Sequence, residues 1–302
     1  MKISNISSVF FSATYTTRKI VRQITGEISD RLSESFAGQE NCSGEKTDIE
    51  TKEYDITEAS VRNCHENSCN EVILKENELL IVGMPVYAGR IQAGAARELA
   101  KFKGKGSPAV ICGVYGNRDY DDALLEMCDT LESNGFRPVS AGAFIAAHSI
   151  FPKIGTGRPD AEDILKINEF AVKSADIISG LAATGESCDS PQSRRAEAVA
   201  GDTGLKVRGN RPYKILGKVP VYPKGDRKCS GCKACAKVCP AGAIDPSNPK
   251  KTDTHKCISC GRCVVVCPEH SRRFRGLLYK IAENKFIKAY SGRKEPDTYY
   301  CI

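Results

Sequence analysis

The sequence contains no tryptophan and no run of 18 or more apolar residues; the apolar stretch after Lys2 is short and broken by Asn5, Ser7 and Ser8. The first absence leaves tyrosine as the chief candidate for aromatic stacking. The second argues against a membrane span, and the N-terminus reads as no export signal. No separate glycine-rich dinucleotide motif follows a later strand, so a built-in NAD(P)H site is not expected. A disulfide framework is missing as well. A chain of 302 residues is too large to need one, and eight of its 15 cysteines crowd between Cys229 and Cys267. Thiols that dense are stable as metal ligands in a reducing, low-oxygen compartment, which points to the cytoplasm of an anaerobe. The other seven, Cys42, Cys64, Cys69, Cys112, Cys128, Cys188 and Cys301, are scattered. Cys42, Cys64, His65 and Cys69 share a polar stretch, but their spacing matches no zinc pattern and is read as ordinary or redox-exposed thiols.

What is present is a globular composition, with 41% hydrophobic and 27% charged residues, in a length that suits one large or two modest domains. The overall charge of +7 hides an asymmetry. Residues 1–200 carry a net charge of −7 and residues 201–302 a net charge of +14. Three parts are expected: an α/β domain over 1–183, a linker over 184–212 rich in Ser, Gly, Asp and Arg, and a cysteine-rich domain over 213–302.

The first part alternates apolar runs with helix-period segments, the pattern of a doubly wound parallel sheet covered on both faces. Strands are expected at Ile6 to Phe11, Leu79 to Val86, Ala109 to Tyr115 and Val139 to Ala146, with a weak one at Tyr54-Asp55-Ile56. Ile20, Ile24, Ile28 and Leu32 recur every fourth residue, and Leu124, Met127, Cys128 and Leu131 form a similar stripe, so both segments read as helices against the sheet. A last helix is expected from a cap at Asp160 to about Leu181. In the tail, Phe274, Leu277, Leu278 and Ile281 fall at helical spacing among Arg272, Arg273, Arg275 and Lys280, which reads as a docking helix with a solvated face or a basic partner surface.

Cys229, Cys232, Cys235 and Cys239-Pro240 are followed by Cys257, Cys260, Cys263 and Cys267-Pro268, two copies of C-x2-C-x2-C-x3-C-P. Three thiolates at intervals of three let one turning loop hold three corners of a cubane, and the fourth reaches the neighbouring cluster. One [4Fe-4S] cluster is therefore expected on Cys229, Cys232, Cys235 and Cys267, and another on Cys257, Cys260, Cys263 and Cys239. Zinc is the alternative, since four-cysteine sites bind it well. Gly231 and Gly261 lie inside the ligand loops, where a missing side chain lets amides approach sulfur. This half resembles bacterial two-cluster ferredoxins, with one departure: Glu269-His270-Ser271-Arg272 replaces the small-residue ending seen at Ala241-Gly242-Ala243-Ile244. Each oxidised cluster with its thiolates carries about −2, which lowers the net charge to roughly +3 and makes nucleic acid an unnecessary explanation for the basic half.

After the first strand, Ser12, Ala13, Thr14, Tyr15, Thr16 and Thr17 open the first helix. Free amides, the helix dipole and hydroxyl donors suit a phosphate there, although a plain helix cap would look alike. Pro85-Val86-Tyr87-Ala88-Gly89-Arg90 and Tyr115-Gly116-Asn117-Arg118-Asp119-Tyr120 follow later strands, where such a sheet forms its ligand crevice. Tyr87 and Tyr120 are the candidate stacking surfaces for a flat ring.

With these pieces, and with Gly209-Asn210-Arg211-Pro212 and both cysteine repeats, nearly the whole chain resembles flavodoxin-like domains fused to a two-cluster ferredoxin, the flavodoxin-family ferredoxins or ferrodoxins. The resemblance implies FMN and a five-stranded sheet in the order 2-1-3-4-5. Tyr15 stands where the family's phosphate loop has glycine, which implies a shifted phosphate or a lower flavin affinity. The expected function is electron transfer between the clusters and FMN, linking one-electron carriers to a two-electron reaction. A small-substrate reductase fed by the clusters and an oxygen-sensing iron–sulfur protein are the alternatives. The expected partner is a redox protein with an acidic surface, with a small-molecule substrate in the reductase case; no nucleic acid is expected.

Overall fold

The computed structural model describes residues 2–37, 49–58, 71–184, 204–217 and 219–301. Cys42, Cys64, His65, Cys69 and Cys188 lie outside them. Apolar runs become strands buried on both faces: β1 (Asn5–Phe10), β4 (Glu78–Tyr87), β7 (Pro108–Tyr115), which is buried throughout, and β8 (Arg137–Ile145). The second strand is β2 (Glu50–Asp55), pinned to β1 by parallel register from Asn5 opposite Glu50 to Phe10 opposite Asp55. These five strands are parallel and lie in the order β2-β1-β4-β7-β8.

An antiparallel strand extends the five expected parallel ones. The chain returns at its end to lay β9 (Asp297–Tyr300) antiparallel along β8, with Ser140 opposite Tyr300 and Ala143 opposite Asp297. Small pairings flank the main sheet: β3 (Val72–Leu74) with β6 (Phe102–Gly104), and β5 (Arg90–Ile91) with the end of β4.

One face of the sheet is covered by α1 (Thr16–Ala37) and α4 (Ala161–Thr184). The α1 stripe of Ile20, Ile24, Ile28 and Leu32 meets Ile167, Phe170, Ala171, Ala175 and Ile178 of α4. Each buried Ile, Leu or Phe among them contributes about 1.5–3 kcal/mol relative to exposure. Asp160 caps α4 through its Oδ1, which accepts from the Asp163 amide at 3.1 Å. The opposite face is covered by α2 (Ala93–Leu99) and α3 (Ala123–Ser133), with Leu124, Met127, Cys128 and Leu131 buried.

The end of the expected linker is a packed strap. Leu205 is buried in the main core. The Asp122 carboxylate accepts from the amides of Asn210 at 2.8 Å and Lys214 at 2.6 Å, and Arg211 and Tyr213 both bond Asp129. Arg90 completes the clasp: it forks onto Glu126, donates to the Lys214 carbonyl at 2.9 Å and lies 4.4 Å over the Tyr213 ring.

In the cysteine-rich part, short helices α5 (Ala234–Lys237) and α6 (Arg262–Val265) follow the two ligand loops. Both loops enter the left-handed region at matching places, Gly231 and Lys233 in the first repeat (φ 76° and 63°), Ser259 and Gly261 in the second (φ 55° and 78°). The tail helix α7 (Leu277–Tyr290) docks, but through other residues than expected. Tyr279, Ala282, Phe286 and Tyr290 pack on Ile150, Phe151 and Phe274, whereas Leu277 and Leu278 are 74% and 68% exposed. The larger aromatic surface wins the docked face.

Candidate functional site

A cleft of about 700 Å³ opens at the carboxyl ends of β1, β4 and β7, on the flank where strand order reverses. That is the ligand crevice of an open α/β sheet, and the size suits a small molecule. Thr14, Thr16 and Thr17 line it from the start of α1, whose first turn holds no carboxylate to repel an anion. Pro85, Val86, Tyr87, Ala88 and Gly89 line it from β4, and Tyr115, Gly116 and Asp119 from β7.

Four residues read as part of the site stand behind it. Ser12 is buried, and its hydroxyl accepts from the Arg18 amide at 3.0 Å. Asn117 donates to the carbonyls of Tyr290 and Gly292 at 2.6 and 2.8 Å, tying the β7 loop to the tail. Tyr120 is turned away from the cleft: its ring lies under Arg208 and its hydroxyl sits 2.7 Å from both Asp297 and Tyr299. It is a pin for β9 and does not line the cleft, whereas Tyr87, the other candidate tyrosine, does.

Tyr15, the fourth, adopts the left-handed backbone that suits the family's glycine (φ 67°), and its ring points toward cations. The Arg18 and Arg262 guanidiniums lie 5.0 and 5.2 Å from its centroid. Left-handed strain of about 1–2 kcal/mol is offset by two cation–π contacts of about 0.5–1 kcal/mol each.

Sequence reading missed the far walls of the cleft. The loop after β8 contributes His148 and Phe151, the strap contributes Lys214, Ile215 and Val221, and α7 contributes Leu278, Ile281 and Lys285. The exposed apolar stripe of α7 is therefore a cleft wall. His148 Nδ1 accepts from the amides of Ile150 and Phe151 at 3.1 and 3.2 Å, which leaves the ring proton on Nε2. Burial, helped by Arg118, pulls its pKa down to about 4. A side chain at Gly116 would meet that ring at 2.8 Å, so glycine is what admits the histidine there.

The eight motif cysteines gather around two small internal spaces. Cys229, Cys232, Cys235 and Cys267 line one; Cys239, Cys257, Cys260 and Cys263 line the other. Each set takes its fourth thiol from the other repeat. Among the described residues no group of three or more His, Cys, Asp or Glu side chains is placed to hold a single metal ion. Backbone amides are aimed at sulfur, Ala243 N to Cys239 Sγ at 3.3 Å and Ser259 N to Cys257 Sγ at 3.4 Å. Burial pushes the Cys260 thiol up to about 12 and the Cys263 thiol to about 11, so ionising them needs a compensating cation.

Arg272 provides a second test of fit. It is 2% exposed, its Nε has no partner, and no carboxylate of the described residues pairs with it. A buried cation without a counter-ion is costly, and anionic iron–sulfur clusters, if held in the flanking spaces, would supply the missing negative charge.

The second ligand loop is built against the cleft. Gly261 sits so close that a Cβ would lie 3.1 Å from the Ser149 carbonyl and 3.6 Å from Thr14 Cγ2. Cys260 is buried in the same apolar cluster as Phe11 and Ala13, with Tyr87 packed on that cluster. Burial and the neighbouring Cys260 hold the Tyr87 hydroxyl well above the ordinary tyrosine value. Arg262 reaches further, donating to the Ser12 carbonyl at 3.1 Å and to Glu58 at 2.5 Å.

Residues 228–271 match the family model of the 4Fe-4S dicluster domain. No curated protein matches the chain. Among solved structures, a rubredoxin:oxygen oxidoreductase from Desulfovibrio gigas is similar at 13% identity and TM-score 0.36 over 60% of this chain, which spans 37% of that protein's length. An NADH:FMN oxidoreductase is similar at 14% identity and TM-score 0.37, over 58% of this chain and 89% of that one. A flavodoxin from the domain Archaea is similar at 10% identity and TM-score 0.35, over 58% and 99%. Among the described residues no helix is long and apolar enough to cross a membrane. The chain joins a 4Fe-4S dicluster domain at residues 228–271 to an α/β domain with a flavodoxin-like parallel sheet.

Proposed function

We propose that the protein is an electron-transfer iron–sulfur flavoprotein, moving single electrons between two [4Fe-4S] clusters and one FMN. The observation that carries this reading is the shared wall between the second thiol-lined space and the cleft, where Gly261 abuts Thr14 and Cys260 lies beside the Tyr87 cluster. When bound, the clusters supply one-electron chemistry, and the flavin joins one- to two-electron chemistry.

The chain's own residues divide the remaining work. Thr14, Thr16 and Thr17 with the α1 amides bind the phosphate, Tyr87 flanks the ring, and His148 presents a fixed Nε2–H donor from the cleft wall. Val86, Phe151 and Leu278 keep that wall apolar. Cys229, Cys232, Cys235 and Cys267 hold the outer cluster, and Cys239, Cys257, Cys260 and Cys263 the inner one. Cys232 is exposed, and Arg227, Lys228, Lys233 and Lys237 around it are exposed and paired with no carboxylate among the described residues. This cationic collar suits an acidic one-electron carrier protein.

Anaerobically isolated protein should contain about eight iron atoms and about one FMN. Rapid mixing with a reductant should bleach the iron–sulfur and flavin absorbance in sequence; iron without flavin ends the proposal. A reductase acting on an apolar small molecule is the second reading, favoured by the α7 wall of Leu278 and Ile281, which extends the cleft beyond the sheet. Turnover of such a substrate without a protein partner would select it.

A further inference from the structure

Arg272 occupies the place where the second cysteine repeat departs from the small-residue ending of the first. It is among the largest fully buried side chains of the protein. Its Nη1 donates to the Pro249 carbonyl at 2.5 Å, and its Nη2 to the Pro223 carbonyl at 2.9 Å and the Thr252 hydroxyl at 2.5 Å. Pro249 and Arg272 itself line the space of Cys229, Cys232, Cys235 and Cys267, while Pro223 and Thr252 line that of Cys239, Cys257, Cys260 and Cys263. The guanidinium is thus held between the two thiol sets by neutral oxygens, with the Cys263 thiol beside it.

We propose that Arg272 is a positioning residue that holds one fixed positive charge between the two clusters and raises the reduction potential of both. The inference rests on the cluster reading above. Reduction adds one negative charge to a cluster that already carries about −2 with its thiolates. In a low-dielectric interior that charge is stabilised most by a nearby cation that needs no reorganisation. Arginine suits the position because it stays charged when buried and its planar fork spans three acceptors, whereas the carbonyl oxygens leave its charge unneutralised.

The experiment is an anaerobic redox titration of the full-length protein, read by electron paramagnetic resonance, with iron and sulfide content measured in parallel. Arg272→Gln should retain about eight iron and make both clusters harder to reduce. Each one-electron equilibrium should shift at least tenfold, about 59 mV for one electron. Arg272→Lys keeps the charge and loses the fork, so its shift should stay below about threefold. A glutamine variant that loses iron while the lysine variant assembles fully also supports the requirement for charge. Unchanged potentials in Arg272→Gln, equal shifts in both variants, or loss of iron in both would overturn the proposal and assign Arg272 a packing role. Wild-type protein carrying zinc or no iron would instead overturn the cluster reading itself.

Discussion

Tyr120 is the residue at which sequence reading and structure disagree most sharply, and Tyr120→Phe separates them. The phenylalanine keeps the ring contacts, 5.5 Å edge-on to Tyr115 and 4.1 Å below the Arg208 guanidinium, and removes only the hydroxyl. Burial and the bonds to Tyr299 and Asp297 hold that hydroxyl well above its ordinary pKa, so it stays protonated. Its single proton goes to the Asp297 carboxylate, and Tyr299 must then donate to Tyr120. A hydrogen bond to a charged group is worth about 1.5–3 kcal/mol. Water can reach the half-buried Asp297, so the lower half of that range applies. At about 2–4 °C per kcal/mol for a domain of this size, thermal unfolding should move down by roughly 3–9 °C. Flavin binding, followed by fluorescence quenching, should be unchanged. A tenfold weaker flavin affinity with an unaltered melting temperature would return Tyr120 to the cleft and refute the structural argument.

Cys232→Ala should lower the iron content by half, from about eight to about four, and leave flavin bound, because the outer thiol set does not touch the cleft; combined iron and flavin assays on one sample decide this. Arg262→Gln should weaken FMN binding about ten- to a hundredfold, the equivalent of a charged hydrogen bond, and leave riboflavin binding unchanged. The reason is local: in a planar trans peptide the bond from Arg262 to the Ser12 carbonyl turns the Ala13 N–H the opposite way, toward the cleft that Ala13 lines. Equal weakening of both ligands would contradict it. His148 sets a pH dependence. Its pKa is about 4 when folded against 6.5 ordinarily, so the unfolded chain binds the extra proton between those values and stability falls as pH drops from 6.5 to 4. Apoprotein melts across that window should show the slope, and His148→Gln should flatten it.

The four central strands and the two long helices were legible because their side chains are buried on whole faces, and burial of that kind leaves an uninterrupted or four-spaced apolar pattern. The edges were not. Glu50–Asp55 is a strand of charged residues held by register with β1, and its only sequence trace was Tyr54 beside Ile56. Asp297–Tyr300 is four residues long and gains its meaning from a sheet edge more than 150 residues earlier in the chain. The thiol sets were readable because ligand spacing is itself covalent information. The cleft was half readable: strand ends announce themselves, whereas walls built by His148, the strap and α7 depend on how separate segments meet. In α7 two apolar stripes overlap, and periodicity alone gives no reason to prefer Tyr279, Phe286 and Tyr290 over Leu277, Leu278 and Ile281.

The return of the chain to β8 makes the molecule a loop closed by a zip. The polypeptide leaves the α/β sheet, folds around its thiols and comes back to be stitched into that sheet by β9 and the Cys301 amide, which bonds Val139 O at 2.9 Å. A protease cut between residues 185 and 203 should therefore yield two fragments that stay associated under native conditions. The cysteine-rich segment is thus anchored at both ends, by the side-chain clasp on Asp122 and Asp129 before it and by the β9 ladder after it.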